Sequence, residues 1–449
     1  MSRSVRLTAQ ANSIATKISS SADDLQKAEI LLQTAEQANP HGTTWLQIGR
    51  AYMELEDFAS SRRAFEQARQ KLSDNPALEL FSAVLCMDEN DTEQAQKHLD
   101  ELRRICPDNQ ALPTAQALCL LLRGRVSPAL DIIHPDKKEP EKYEIAVSPL
   151  LISRLAAAVE KILLPRELPD KDILNTAVGA SRGGEHAELP KGHDEQTADG
   201  AANSQESADS PDTAAELRND PDDSSDNIPA SAGRPSVPAV KGIADPQAFA
   251  EELKPYLPKL PPDTKIGGFH LRGSGTERLQ RSWNLPDAER SAQFKLAVHE
   301  LFQAYCASPK AYQSAFSLAE GLLALAEYDR DRTRPYDASS LTFVQFAERL
   351  LQEALIRDKD TAFANHYLAR AALLQHRYDE AVSFWKSALD LFAKLPEAYY
   401  GLGQAMLMLE KPRLGRLYIA HAVNSDMHLL RERLADLACV AGSRSDSNP

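Results

Sequence analysis

The chain has 449 residues, 43% of them apolar, with 27 prolines and a formal charge of −14. That length suggests roughly two to four domains, and the apolar fraction suffices for packed cores. The acidity argues against a general phosphate-binding surface, and no apolar run approaches the ~18 residues of a membrane-spanning helix.

The first 22 residues carry Arg3, Arg6 and Lys17 but no acid. They are expected to form a first solenoid helix ahead of Asp23 rather than a transit segment. Apolar residues then recur at helical spacing, and strand-like alternation is nearly absent. A helix is expected over 143–164. Beyond it, residues 181–240 hold thirteen Asp/Glu against four Lys/Arg, a net of −9. Leu189, Leu217, Ile228, Val237 and Val240 are the only large aliphatics there, too few to offset the entropy of ordering. Residues 176–243 are therefore expected to be an acidic disordered linker. Phe249 to Tyr256 has a helical pattern, and a stretch rich in Pro and Gly follows it. "LRGSGTERL", 271–279, reads as a flexible loop, because the strand and longer glycine pattern of a phosphate cradle are missing. A helix is expected near 309–329, followed by an insertion, "RDRTRPYDASS", with Ser339 as the next N-cap. "HLLRERLADLACV", 428–440, reads as an amphipathic capping helix.

Small residues show a double period. A step of twelve joins Gly49 to Ser61, Ala83 to Ala95, Ala117 to Ala129, Ala369 to Ala381 and Gly403 to Gly415. Positions 49, 83 and 117 are 34 apart, as are 369 and 403, and 347, 381 and 415. Antiparallel helices approach closely only where side chains are small, so the short step marks contacts within hairpins. The longer step marks the stacking of hairpins, each too small to bury its apolar face alone. A helix interior otherwise disfavours glycine by ~1 kcal/mol relative to alanine. Gly49 is read as a contact glycine, with Trp45 expected to be buried between hairpins.

Trp45-x2-Ile48-Gly49-x2-Tyr52, followed by Ser61-x3-Phe65-x2-Ala68 and Pro76, resembles the tetratricopeptide repeat (TPR) pattern. Weaker copies run from Ala28, Ala83, Ala117, Ala347, Ala369 and Gly403, covering roughly 9–135 and 310–427. Glu79 and Ser82 replace bulkier residues in the second unit. The resemblance implies an all-α fold, a TPR-like helical-hairpin solenoid in two stacks. The expected layout is an N-terminal stack with capping helix (1–175), the linker (176–243) and a connecting region (244–308). A C-terminal stack with capping helix (309–441) and a disordered tail (442–449) complete it.

Candidate chemistry is sparse. Cys86, Cys106, Cys119, Cys306 and Cys439 are scattered without a CxxC pair, which suggests reduced thiols and a cytoplasmic location. His299-Glu300 lacks the second histidine of a zinc protease motif, and no nucleophile elbow occurs. No catalytic residue, cofactor, metal, nucleic acid or membrane span is expected. The resemblance implies a concave groove lined by the first helix of each hairpin. In the C-terminal stack, that register exposes Phe363, His366, Tyr367, Arg370, Glu397, Tyr400 and Gln404. Phe363, His366, Tyr367, Arg370, Tyr400 and Gln404 are the expected protein-binding residues, since aromatic and arginine side chains are typical of binding hot spots. The N-terminal groove is apolar enough to be filled by the chain's own helix at 143–164. The expected function is a non-catalytic protein-interaction scaffold or adaptor. The alternatives are a chaperone or targeting factor holding an extended client, then an enzyme with its site in 245–310.

Overall fold

The computed structural model describes residues 2–133, 149–163, 243–260, 270–282, 285, 287–328, 338–357 and 361–445. The linker expected at 176–243 lies outside them except for Ile243. Helices α1 (Arg3–Ala15), α2 (Ala22–Gln37), α3 (Gly42–Glu54) and α4 (Phe58–Lys71) form the first two hairpins. Helices α5 (Pro76–Asp88), α6 (Thr92–Ile105), α7 (Leu112–Leu122) and α8 (Val126–Ile133) form the next two. A single helix, α9 (Pro149–Leu163), and a short α10 (Pro246–Leu253) follow. The C-terminal half pairs α11 (Leu271–Ser282) with α12 (Asp287–Ala307), and α13 (Tyr312–Tyr328) with α14 (Ala338–Arg357). It continues with α15 (Ala362–Leu374) on α16 (Tyr378–Leu391), then α17 (Pro396–Met408) on α18 (Pro412–Ser425), and ends in α19 (His428–Ser445). No strand occurs among the described residues.

The small-residue steps are contacts. A Cβ at Gly49 would lie 2.4 Å from Phe65 Cε1, and the Ser61 hydroxyl donates to the Gly49 carbonyl at 2.8 Å. At Gly403 a Cβ would come within 2.9 Å of the Gly415 carbonyl oxygen, so there two helix backbones touch. The hairpin turns repeat as regularly. Glu56, Asn90, Gly124, His376 and Glu410 take φ of 64°, 62°, 72°, 59° and 56°. The amide after each bonds back five residues, from Asp57 to Tyr52, Asp91 to Cys86, Arg125 to Leu120, Arg377 to Ala372 and Lys411 to Met406. These are left-handed helix ends that satisfy otherwise orphaned carbonyls.

Several expectations need correction. Residues 271–279 are helical: α11 packs against α12, where a Cβ on Gly275 would meet Leu301 Cγ at 2.8 Å. The glycine that signals a loop in sequence is again a contact glycine. Phe249 and Leu253 of α10, Leu279 of α11 and Phe294, Val298 and Leu301 of α12 share one core with α13–α17. The region 244–308 therefore extends the C-terminal stack rather than merely leading to it. Helix α14 starts at Ala338, so Ser339 lies within it, and α19 continues through Ser445, past the expected start of the tail at 442. Trp45 is only partly buried, with its indole N–H lacking a hydrogen-bond acceptor among the described residues; Trp385 is 0% exposed.

The two stacks pack together, and α9 lies between them. Every residue from Leu150 to Glu160 is buried, which accounts for a sequence apolar on nearly all sides. One side covers the inner positions of the N-terminal stack, including Leu46, Met53, Leu80, Val84, Leu118 and Leu121, in a single apolar cluster with Leu151, Leu155 and Val159. The other side meets α17, α18 and α19. Away from α9, the Arg413 guanidinium donates to the Ala15 carbonyl at 2.6 Å, and Arg416 pairs with Glu56 at 2.8 Å.

Candidate protein-interaction surface

Helix α9 bears two opposite charges six residues apart. Successive residues turn by about 100°, so the two side chains leave different sides of the helix. Arg154, 4% exposed, forms a fork with Asp88 (Nε–Oδ1 3.0 Å, Nη2–Oδ2 2.8 Å) and reaches Glu54 at 3.5 Å. Asp88 and Glu54 stand at the ends of α5 and α3, so this arginine ties α9 across the N-terminal groove. Glu160, 0% exposed, faces the C-terminal stack. It accepts from Tyr400 Oη at 2.8 Å, Gln404 Nε2 at 2.8 Å, and Arg433 Nε and Nη2 at 2.7 and 2.9 Å. Burial alone would raise its pKa, but the Arg433 charge and these donors outweigh burial and hold the carboxyl below the usual value. Tyr400 and Gln404, two of the expected partner-binding residues, are therefore engaged by the chain's own helix.

The remaining four sit on α15. Phe363, His366, Tyr367 and Arg370 follow the i, i+3, i+4, i+7 rule and share one side of the helix, while Ala364, Ala369, Ala371 and Ala372 pack beneath. His366 is 8% exposed, and its Nδ1 stands 3.2 Å from the Trp385 indole N–H, which donates to it. Burial first, and the Arg370 charge second, lower its pKa to about 3. It is thus a neutral core acceptor rather than a surface group. The Tyr367 hydroxyl donates to Glu320 Oε1 of α13 at 2.9 Å. Arg370 lies 5.2 Å over the Tyr367 ring and pairs with Glu327, Nε to Oε1 at 3.2 Å. Phe316 meets Tyr367 edge-on at 5.4 Å, and Tyr312 stacks on Phe316 at 5.6 Å. Phe363 stays 50% exposed.

The inner face of α13 and α15 is thus a preformed strip of aromatic rings, two carboxylates and one guanidinium. At its end, α9 seals the equivalent positions of α17: His366 and Arg370 correspond, 34 residues on, to Tyr400 and Gln404. The interstack contacts to Glu160 escaped sequence reasoning, although a lone acid within "LAAAVEKILL" is a signal for a buried polar partner. Among the described residues, no cluster of three or more His, Cys, Asp or Glu side chains is placed to hold a metal ion. No described helix is long and apolar enough to cross a membrane.

Antiparallel hairpins stacked at a 34-residue period, with first helices lining an inner face, define a TPR-like solenoid. In agreement, residues 52–119 match the tetratricopeptide repeat family. Among solved structures, the P58(IPK) TPR domain is similar at 11% identity, over 91% of this chain and 79% of that one, with a TM-score of 0.22. Yeast Tom70 is similar at 9% identity, over 91% and 77%, with a TM-score of 0.24. The human IFIT1 dimer with m7Gppp-AAAA is similar at 12% identity, over 90% and 78%, with a TM-score of 0.22. Superpositions this loose add nothing to the hairpin geometry. A search of curated proteins returns no significant match. The TPR fold supports protein-interaction scaffolding in general.

Proposed function

We propose that the protein is a non-catalytic interaction scaffold or adaptor that binds a peptide or partner protein on the open inner face of its C-terminal stack, at Phe363, Tyr367 and Arg370. One observation carries this reading: Phe363 is 50% exposed beside Tyr367 and Arg370, whose side chains are already held by Glu320 and Glu327. An exposed ring next to pre-ordered groups offers contact area at low entropic cost. Within this reading His366, Tyr400 and Gln404 act behind the surface, the first supporting Trp385 and the other two holding α9. A cytoplasmic location belongs to the same proposal, supported by the free thiols of Cys86, Cys106, Cys119 and Cys306.

The test is affinity capture with the full-length chain and its Phe363→Ala and Tyr367→Ala variants, partners being quantified by mass spectrometry. The reading expects a defined subset of partners to be lost from both variants while melting curves stay cooperative. Unchanged recovery of every partner would remove the site.

A further inference from the structure

We infer that the inner face of α13 and α15 takes a basic peptide, whose lysine or arginine sits between the Phe316, Phe363 and Tyr367 rings and the free oxygen of Glu320. This rests on that face being the partner site and specifies the chemistry of its ligand.

Three features carry it. Glu320 spends one carboxylate oxygen on the Tyr367 hydroxyl, and Oε2 accepts no hydrogen bond among the described residues. Burial raises its pKa, an effect that Tyr367 and the Arg370 charge only partly counter. A carboxylate so placed gains from a further cation. The aromatic wall already serves cations, since Arg370 lies over the Tyr367 ring at 5.2 Å. The charge balance is acidic. Among the described residues of this face, Glu320 and Glu327 on α13 and exposed Glu397 on α17, 34 residues beyond Phe363, stand against Arg370, which pairs with Glu327. Glu397 has no ion-pair partner among the described residues.

Charge also argues against the acidic segment 181–240 filling this face as α9 fills the N-terminal one. The segment 181–240 carries a net charge of −9 and is repelled by these carboxylates. The apolar helix that fits an inner groove is already committed to the N-terminal stack. A basic external peptide is the complementary occupant.

The experiment measures binding of two fluorescent peptides of equal length to the full-length chain by anisotropy. One alternates lysine with leucine and serine; the other is the same peptide with every lysine acetylated. The basic peptide is expected to bind about tenfold or more tightly than the acetylated one. Glu320→Gln, nearly isosteric, and Phe363→Ala, at an exposed position, should each weaken it by about tenfold. Glu277→Gln removes one charge at an exposed site on α11 and should leave binding unchanged, which controls for general acidity. Equal binding of both peptides, still weakened by Phe363→Ala, would overturn the cationic specificity but keep the site. Basic-peptide binding indifferent to Glu320→Gln and Phe363→Ala would overturn both the specificity and the site. No binding of either peptide would overturn the inference.

Discussion

In the N-terminal stack the inner positions are Leu80, Val84, Leu118 and Leu121, and α9 covers them. In the C-terminal stack the strip carries Tyr367 and Arg370, bonded to Glu320 and Glu327 of α13, and is open at Phe363. Both faces arise from the same hairpin spacing, so the difference lies in side-chain chemistry alone. An apolar groove must be filled to remove its surface from water, and the chain supplies an apolar helix to do so. A groove lined by polar and charged groups can stand open to solvent. Helix α9 links the two conditions, spending Arg154 on one stack and Glu160 on the other.

The two tryptophans offer the largest break in that comparison. Trp385→Ala should cost about 3–5 kcal/mol, because the ring is wholly buried against His366 of α15 and Gly401 of α17. Trp45→Ala, at a partly exposed position, should cost about half of that or less. Chemical denaturation of the full chain measures both, and equal losses would contradict the burial difference. Next comes the α9 junction. Glu160→Ala leaves the half-buried Arg433 with Asp436 as its one ion-pair partner among the described residues, and takes the acceptor from buried Tyr400, and should destabilise by about 3 kcal/mol. The double variant Glu160→Leu/Arg433→Leu should recover part of the loss, since it removes the uncompensated charge while Tyr400 and Gln404 still lack their acceptor. No recovery would place the damage in packing instead.

A pH scan sharpens the role of His366. Its folded pKa, about 3, lies below the ordinary 6.5, so in that window the unfolded chain binds a proton that the folded one refuses. Stability should therefore fall as pH drops from 6.5 towards 3, by at most about 1.4 kcal/mol per pH unit. His366→Gln should flatten that part of the curve. Glu160 acts with the same sign but lower down, its contribution being complete above the unfolded carboxylate pKa and lost as pH falls through the depressed folded value. The smallest effect concerns a turn. Glu410 holds φ of 56° at an exposed position, so Glu410→Gly should stabilise by about 0.5–1 kcal/mol, read as a rise in melting temperature. A fall would mean that the side chain makes a contact worth more than the strain.

The hairpins were legible because their signal is local and repeated: Gly49 with Ser61, and Gly403 with Gly415, mark helices in close contact twelve residues apart. The filling of the N-terminal groove by the helix near 150 was also readable, from the sheer apolarity of both partners. The turns were not, since four of the five left-handed positions (Glu56, Asn90, His376 and Glu410) lack glycine. Helix α11 was missed because Gly273 and Gly275 resemble loop punctuation. At the site, spacing placed Phe363, Tyr367 and Arg370 on one face, but no periodicity announces Glu160, which meets Tyr400 across 240 residues of chain. Contacts between distant elements leave only chemical hints, here an acid within an apolar helix.

Hydrogen–deuterium exchange of the full-length chain, with and without the lysine peptide, tests the division between a filled and an open inner face most directly. The account predicts that 149–163 is among the slowest-exchanging segments in both conditions, and that the peptide slows exchange in 312–327 and 362–374. Rapid exchange of 149–163, or peptide protection confined to 42–54 and 76–88, would contradict it.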